Sequence, residues 1–565
     1  PSDTAGGAAY IGTVTLVGAN AAEYVATVNI TVHGQASALQ NGGDDQLWRN
    51  TRLHWLNSKL GLGDHRLPSP FTPVVLNASH RSVLMLGKKV TIGPDGMLSE
   101  IDVFSDPLHP ENITQPLASS TRFQVTVGGA SVDLPVVSDA KPVVDEHNRT
   151  VSWNSVLGDA VDAGCHGLRV GVRASLDFSG YADYVVTLNA SVPVDQVAVS
   201  VVLPMAPKNA RFAVGLGRKG GLLSTWFTRN DDDDDADDDD ANDDDDDDDD
   251  NVEWKWDGVN GNNALWVGDS RAGLRVFPKG ESDEWQAAVP FDSRLTPPMP
   301  EEWANNGTGG ISVSPTGKIS VFTGERNLGK GQGLVFRFSV LITPTRPLNL
   351  TKHWGERHYQ ASGPVNYTAV ANGGATVLVE HQGNVINPWI NYPYATNQLM
   401  REASTAAHAA GMKFKIYNTM RELSYKAREI WAFRSLEETY VSGPDPHVDG
   451  EGSPWLQEHL QGDYEVAWSN TMAQPIDQGN DMWWSQQEDH AIKVKAMTRW
   501  NNYYVYGSLQ MQRDFDFDGI YLDEIAYDRV TILRTKAVLN NGLIDHHCHI
   551  GAFCTSCAAN YMELY

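Results

Sequence analysis

The chain has 565 residues, 41% of them apolar, which is too long for one core and enough material for two or three domains. Its formal net charge of -28 is concentrated, because seventeen of the twenty residues from Asp231 to Asp250 are Asp and the remainder carries only about -11. That remainder supplies no basic face for phosphates, which excludes nucleic acid as a partner, and no run of about eighteen apolar residues predicts a membrane span.

From Ile11 to Val32 the residues alternate (TVTLV, YVATVNITV), the period-two pattern of half-buried strands. Leu47 to Leu76 is punctuated by Pro and Gly and reads as strands joined by loops. Strand-like runs follow at Arg81 to Ile92, Phe123 to Val137, Leu168 to Phe178, Tyr184 to Leu203 and Leu334 to Ile342. Short strands at this spacing predict an antiparallel β-sandwich region, in one or two modules, over residues 1–350. The acidic insert, residues 229–251, repels itself and can bury nothing. It is expected to be a solvated spacer, or a weak multivalent binder of calcium or a cationic polymer.

After about Lys352 strands and helices alternate, as in βα units on a parallel sheet. The expected elements are strand Thr376 to Glu380, helix Thr396 to Ala410 ending at Gly411, strand Lys413 to Tyr417, helix Tyr425 to Tyr440, helix Asp489 to Met511 and strand Gly519 to Leu522. The fold class is therefore multidomain, β followed by α/β, with residues 351–565 forming the first part of a (β/α) barrel that carries the site. A full eight-stranded barrel takes about 250 residues, so the expectation is a chain that stops inside the barrel.

Sequons stand at Asn29, Asn77, Asn112, Asn148, Asn189, Asn306, Asn349 and Asn366, and the chain opens at Pro1 without Met. Both features favour a processed, secreted or cell-surface glycoprotein. Cys554 and Cys557, with Cys548, His546, His547 and His549 nearby, are compatible with a zinc site or with a local disulfide, and Cys165 with a buried free thiol. No cofactor is expected, and no metal is assigned to the site.

The chemistry concentrates in Arg513 to Arg529, RDFDFDGIYLDEIAYDR, where a β-prone run, Gly519 to Leu522, meets two adjacent acids, Asp523 and Glu524. Acids at the carboxyl end of a strand in a parallel sheet face the active-site side. Asp514, Asp516, Asp518 and Gly519 also match the start of an EF-hand calcium loop, but the position that needs a bidentate Glu holds Ile525. Acids on a solvated strand end are the remaining alternative.

Several motifs occur together and in order: GLGRKGG (Gly215 to Gly221), WKWDG (Trp254 to Gly258), LWVGDSRAGLR (Leu265 to Arg275), YNTMRELS (Tyr417 to Ser424), SPWLQEH (Ser453 to His459), TRWNNYYV (Thr498 to Val505) and DGIYLDEIAYDR. In these the chain resembles glycoside hydrolase family 123 and its uncharacterised relatives, from about Asp45 onward. The resemblance implies release of β-linked N-acetylgalactosamine through an Asp-Glu pair, here Asp523 and Glu524. Ordinary retaining hydrolysis needs two carboxyls about 5 to 5.5 Å apart across the anomeric carbon. Adjacent residues on one strand end suit substrate-assisted hydrolysis better, with Glu524 as acid and Asp523 holding the charged acetamido group. Burial and the anionic neighbour would raise the Glu524 pKa. Tyr417, Glu422, Trp455, Trp500 and Tyr503 fall in the matching segments and are expected to line the sugar site, the alternative for each aromatic being core packing. The partner is then a glycan. The competing expectation is a non-catalytic structural or adhesive glycoprotein that assembles with itself, or a binding module without turnover.

Overall fold

The computed structural model describes residues 9–16, 24–31, 55–63, 66–104, 115–158, 163–216, 218–227, 251–256, 264–280, 299–346, 350–420, 422–427, 429–436, 439, 466–471, 488–494, 498–523, 529–540 and 542–547. The chain divides into two compact units, Pro1–His54 and Trp55–Tyr565. The described part of the first unit is an antiparallel hairpin, Ala9–Leu16 with Tyr24–Thr31, in which Ala9 faces Thr31.

In the second unit the N-terminal half is all antiparallel, in sheets of ten, seven and five strands. The middle of the ten-stranded sheet is Leu168–Asp177, Tyr181–Ala190, Gly333–Thr343 and Gly273–Lys279, side by side. Tyr181–Ala190 shows why: Ala182, Tyr184, Val186, Leu188 and Ala190 alternate inward and are buried, while the residues between them face out. Tyr184 stacks on Phe338 across neighbouring strands at 4.7 Å. The seven-stranded sheet is centred on Val194–Pro204, and its Phe123 meets Phe336 of the ten-stranded sheet at 5.9 Å, so the core lies between the two. The stretch expected to run on from Phe123 to Val137 instead folds back at Gly128 and Gly129, both at positive φ, so that Val127 pairs with Ala130. Two positive-φ residues are what a tight hairpin turn demands.

The C-terminal half is built on five parallel strands: β1 (His358–Ala361), β2 (Val377–Glu380), β3 (Lys413–Tyr417), β4 (Gly519–Asp523) and β5 (Leu543–His547). Their spatial order equals their sequence order, as in a barrel wall. Helix α1 (Tyr367–Asn372) follows β1, α2 (Asn397–Ala409) follows β2, α3 (Arg499–Phe515) precedes β4, and α4 (Arg529–Val538) joins β4 to β5. Helix α2 buries Met400, Ala403, Ser404 and Ala407, one face at helical spacing, and is packed on β3. Gly519 opens β4 because a Cβ there would sit 1.9 Å from the Leu543 carbonyl oxygen of β5.

Two expected helices differ. The stretch Asp489 to Met511 begins as a strand, Glu488–Lys493, which pairs with Glu422–Ser424 and Val466–Thr471 in a small antiparallel sheet after β3. The helix starts only at the Thr498 N-cap, whose hydroxyl accepts from Trp500 N. Of Tyr425 to Tyr440, Ile430–Ser435 is helical, and Thr439 bridges to Val494.

The segment at the start of this unit is anchored on the barrel wall. Trp55 packs on Phe433 and Tyr503 at 4.8 and 5.5 Å, and Arg534 of α4 donates to the carbonyls of Ser58 and Leu60. Among the described residues no helix is long and apolar enough to cross a membrane.

Candidate active site

The carboxyl ends of β2, β3 and β4 converge on one face of the wall. Tyr417, the last residue of β3, is paired in register with Tyr521 of β4, and their rings lie 5.4 Å apart. On its other side Tyr417 meets the His381 ring at 4.5 Å, from the residue just past β2. Asp523, two residues beyond Tyr521, is the last residue of β4 and is paired with His547. Its backbone therefore stands at the strand end where the acid pair was expected. Glu524 and Trp455 lie outside the described residues.

The loops around this face are tied to one another by side-chain and backbone amides. Asn387 Nδ2 donates to the Tyr417 carbonyl at 3.2 Å, and Asn418 N donates to the Tyr521 carbonyl at 3.1 Å. Asn391 spans the loops after β2 and β3, with Nδ2 donating to Glu422 O and Oδ1 accepting from Thr419 N. Glu422, fully buried, begins the small antiparallel sheet opposite Lys493. Asp489 of the same sheet accepts from Ser424 Oγ at 2.6 Å and from Ile390 N at 2.7 Å. Burial pushes its carboxyl up to about 6 against those bonds.

Glu380 ends β2 and is 0% exposed. Its Oε1 accepts from Gly363 N and from Asn384 Nδ2, at 3.0 and 2.9 Å, while Oε2 is buried with no hydrogen-bond partner among the described residues. Burial raises its carboxyl to about 8, so it is mainly protonated at neutral pH. In the sequence Thr376 to Glu380 reads as a strand. An acid closing a parallel strand is the same signal that singled out Asp523.

Lys415, two residues before Tyr417 on β3, is 0% exposed, and its Nζ contacts Asp545 Oδ2 and lies 3.2 Å from His358 Nδ1. Burial pushes the Lys415 ammonium down to about 7. The touching Asp545 carboxylate favours the charged form of the amine and so works against that burial. Burial and Lys415 lower the His358 pKa.

Trp500 and Tyr503 are placed differently from the sugar platforms expected of them. They are 1% and 3% exposed, stacked on each other at 5.1 Å, with Phe433 edge-on to both. Trp500 Nε1 donates to the Met420 carbonyl. Rings so enclosed offer no face to a sugar; they support the loop after β3 from below.

Asp514, Asp516 and Asp518 do not form a calcium loop. Asp514 belongs to the last turn of α3, Asp516 is its left-handed cap, and Asp518 Oδ2 is committed to His408 Nε2 and Phe414 N at 2.8 Å each. No group of three His, Cys, Asp or Glu able to hold a metal occurs among the described residues. Cys165 is a buried free thiol, while Cys548, Cys554, Cys557 and His549 lie outside the described residues.

Solved structures similar to the chain include a variant of the GH36 α-galactosidase AgaA from Geobacillus stearothermophilus, at 11% identity over 99% of this chain and 73% of that one, with a TM-score of 0.33. An α-galactosidase from Lactobacillus brevis matches at 10% identity over 86% and 71%, with a TM-score of 0.29. A quadruple mutant of the α-N-acetylgalactosaminidase NagBb from Bifidobacterium bifidum matches at 11% over 82% and 77%, with a TM-score of 0.28. At TM-scores this low these likenesses carry no argument about the chain, and no curated protein matches it. The family descriptions do match: "Glycoside hydrolase 123, third domain" over residues 76–238 and 241–344, and "Glycoside hydrolase 123, TIM-barrel domain" over residues 349–565. A mostly β, multidomain chain with parallel strands at its C-terminal end and both of these matches is glycoside hydrolase-like, and it belongs to glycoside hydrolase family 123.

Proposed function

We propose that the chain is a retaining hydrolase of β-linked N-acetylhexosamine, N-acetylgalactosamine foremost, working by substrate-assisted catalysis. The observation that carries this reading is the position of Asp523 as the last residue of β4, at the carboxyl ends of the parallel strands and two residues past the Tyr417–Tyr521 pair. Glu524 is the acid that protonates the glycosidic oxygen as the acetamido oxygen of the same sugar attacks the anomeric carbon. Asp523 accepts the acetamido N–H and balances the positive charge of the cyclic ion so formed. Water then opens that ion at the anomeric carbon, giving its proton to Glu524 and restoring the acetamido group. Tyr417, 3% exposed, supports the sugar subsite by backing the half-buried His381 ring and not by stacking on the sugar, Glu422 fixes the loop above β3, and Trp455 is the stacking platform.

We also propose that the protein is secreted and glycosylated. The six sequon asparagines that are described, Asn29, Asn77, Asn148, Asn189, Asn306 and Asn366, are all exposed, which supports this.

The mechanism is tested by comparing 4-nitrophenyl N-acetyl-β-galactosaminide with 4-nitrophenyl β-galactoside, which lacks the internal nucleophile. Turnover of the first alone, lost in Asp523→Asn, supports the proposal. Equal turnover of both would replace substrate assistance with an enzymic nucleophile.

A further inference from the structure

Between the edges of the ten-stranded and seven-stranded sheets lies a cleft of about 410 Å³, bounded also by the turn of residues 93–97. Its volume falls in the range of about 300 to 1,000 Å³ usual for small-molecule sites. None of its lining residues belongs to the parallel-strand half, so it is distinct from the candidate active site.

One wall is apolar. Val170 and Val172, two apart on strand Leu168–Asp177 and therefore on one face of it, are buried there, and Leu134 and Leu157 extend the wall. A second wall is the edge of strand Arg122–Val127, where Arg122 is exposed and Gln124 half-buried. Ser131 and Asp133, both exposed, stand on the segment that folds back from this strand. The side chains of Arg122, Gln124, Ser131 and Asp133 form no hydrogen bond or ion pair among the described residues. The turn of residues 93–97 presents Asp95 from a fixed frame. Trp153 Nε1 donates to Gly96 O at 2.7 Å, Ser155 Oγ to Asp95 O at 2.5 Å, and Met97 N to Asp95 Oδ1 at 3.0 Å. Gly96, at positive φ, lets the turn lie flat on the ten-stranded sheet, since a Cβ there would come within 2.5 Å of Ser155 Oγ. Burial raises the Asp95 carboxyl, and the Met97 N–H and the charge of Arg122 oppose the rise.

We propose that this cleft is a second, non-catalytic saccharide site, taking a neutral sugar whose C–H face lies on the apolar wall and whose hydroxyls meet Asp95, Arg122, Gln124 and Asp133. Each sugar hydroxyl both donates and accepts, so one ring can give protons to the two carboxylates, accept from the guanidinium and do both with the amide. Other ligand classes fit less well. An anion meets two carboxylates, and a purely apolar ligand would take all four polar groups out of water without replacing their hydrogen bonds. The frame that holds Asp95 is set before any ligand arrives, which spares the cost of ordering it on binding. The site is separate from the hydrolytic reading above and stands or falls without it.

The test is calorimetric titration of the full chain with lactose, cellobiose and maltose, neutral disaccharides without the acetamido group that the hydrolytic reading requires. At least one of them binds. The variant Gln124→Ala/Asp133→Ala weakens that binding about tenfold or more, and the conservative Asp133→Asn weakens it by less. Asp523→Asn, at the end of β4, leaves it unchanged. Absence of binding by all three sugars, affinity unchanged in both cleft variants, or affinity lost in Asp523→Asn would overturn the proposal.

Discussion

His358 and Asp545 meet at 3.0 Å although they stand on the first and the fifth of the parallel strands. At about 4.8 Å per strand, a flat sheet would hold them roughly 19 Å apart. Lys415, from the strand midway between, touches the same Asp545 oxygen. The sheet is therefore curled around this trio, in which Lys415 lies two residues before Tyr417 on β3 and Asp545 is paired with Tyr521.

Removing the central cation should be costly. Lys415→Met leaves Asp545 and His358 facing each other, both partly exposed, and a loss of about 1 to 2 kcal/mol is expected in urea unfolding. Adding Asp545→Asn should recover much of it, because the coupling is between those two residues. Additive losses in the double variant would show that the pair is not coupled.

Glu380 should impose a pH dependence on stability. A carboxyl whose folded pKa is raised to about 8 holds a proton that the unfolded chain has already released above its ordinary value of 4.5. Between those limits the folded state binds more protons, so stability falls as pH rises through the window and levels off above it. The expected loss is on the order of 3 kcal/mol, and Glu380→Gln should flatten it. Urea unfolding of both proteins at pH 5 and pH 8.5 checks this; equal slopes would assign the dependence elsewhere.

Trp500 should matter for folding and little for sugar binding. Trp500→Ala is expected to cost about 3 to 5 kcal/mol by opening the cluster with Tyr503 and Phe433. Trp500→Phe, which keeps most of the packing, should leave KM close to the wild-type value. A KM raised about tenfold or more with stability intact would restore Trp500 as a sugar platform.

Glycosylation is expected at the exposed sequons. Peptide N-glycosidase should lower the mass of the secreted protein, and each Asn→Gln change should remove one step of that shift. Asn366→Gln should in addition cost about 1 kcal/mol, because Asn366 Oδ1 caps α1 by accepting from Ala369 N. An unshifted mass would contradict the secreted assignment.

The elements legible in the sequence were those whose pattern is local. VLVE, KFKIY and GIYLD are short apolar runs bounded by polar residues, and each is a parallel strand; Asn397–Ala409 has a one-sided apolar face closed by Gly411. What was illegible depended on distant partners. Glu488–Lys493 looks helical by composition and is a strand because Glu422–Ser424 and Val466–Thr471 flank it. Trp500 and Tyr503, three apart on one helix, carry the same signal whether they face a ligand or a core, and Phe433 and Trp55, far away in sequence, settle that they face a core. Lys415 was invisible as a site residue because the alternation that turns it inward says nothing of what it meets there.

The central claim is that Glu524 is the proton donor to β-linked N-acetylgalactosamine. The most direct measurement is release of 4-nitrophenol from its N-acetyl-β-galactosaminide by wild type and by Glu524→Gln, with unfolding curves to match their stability. The account predicts turnover by the wild type and a fall of about 10² to 10⁴-fold in the variant. A folded variant that retains activity would assign the acid elsewhere, and a folded, inactive wild type would leave a non-catalytic structural glycoprotein in place of the hydrolase.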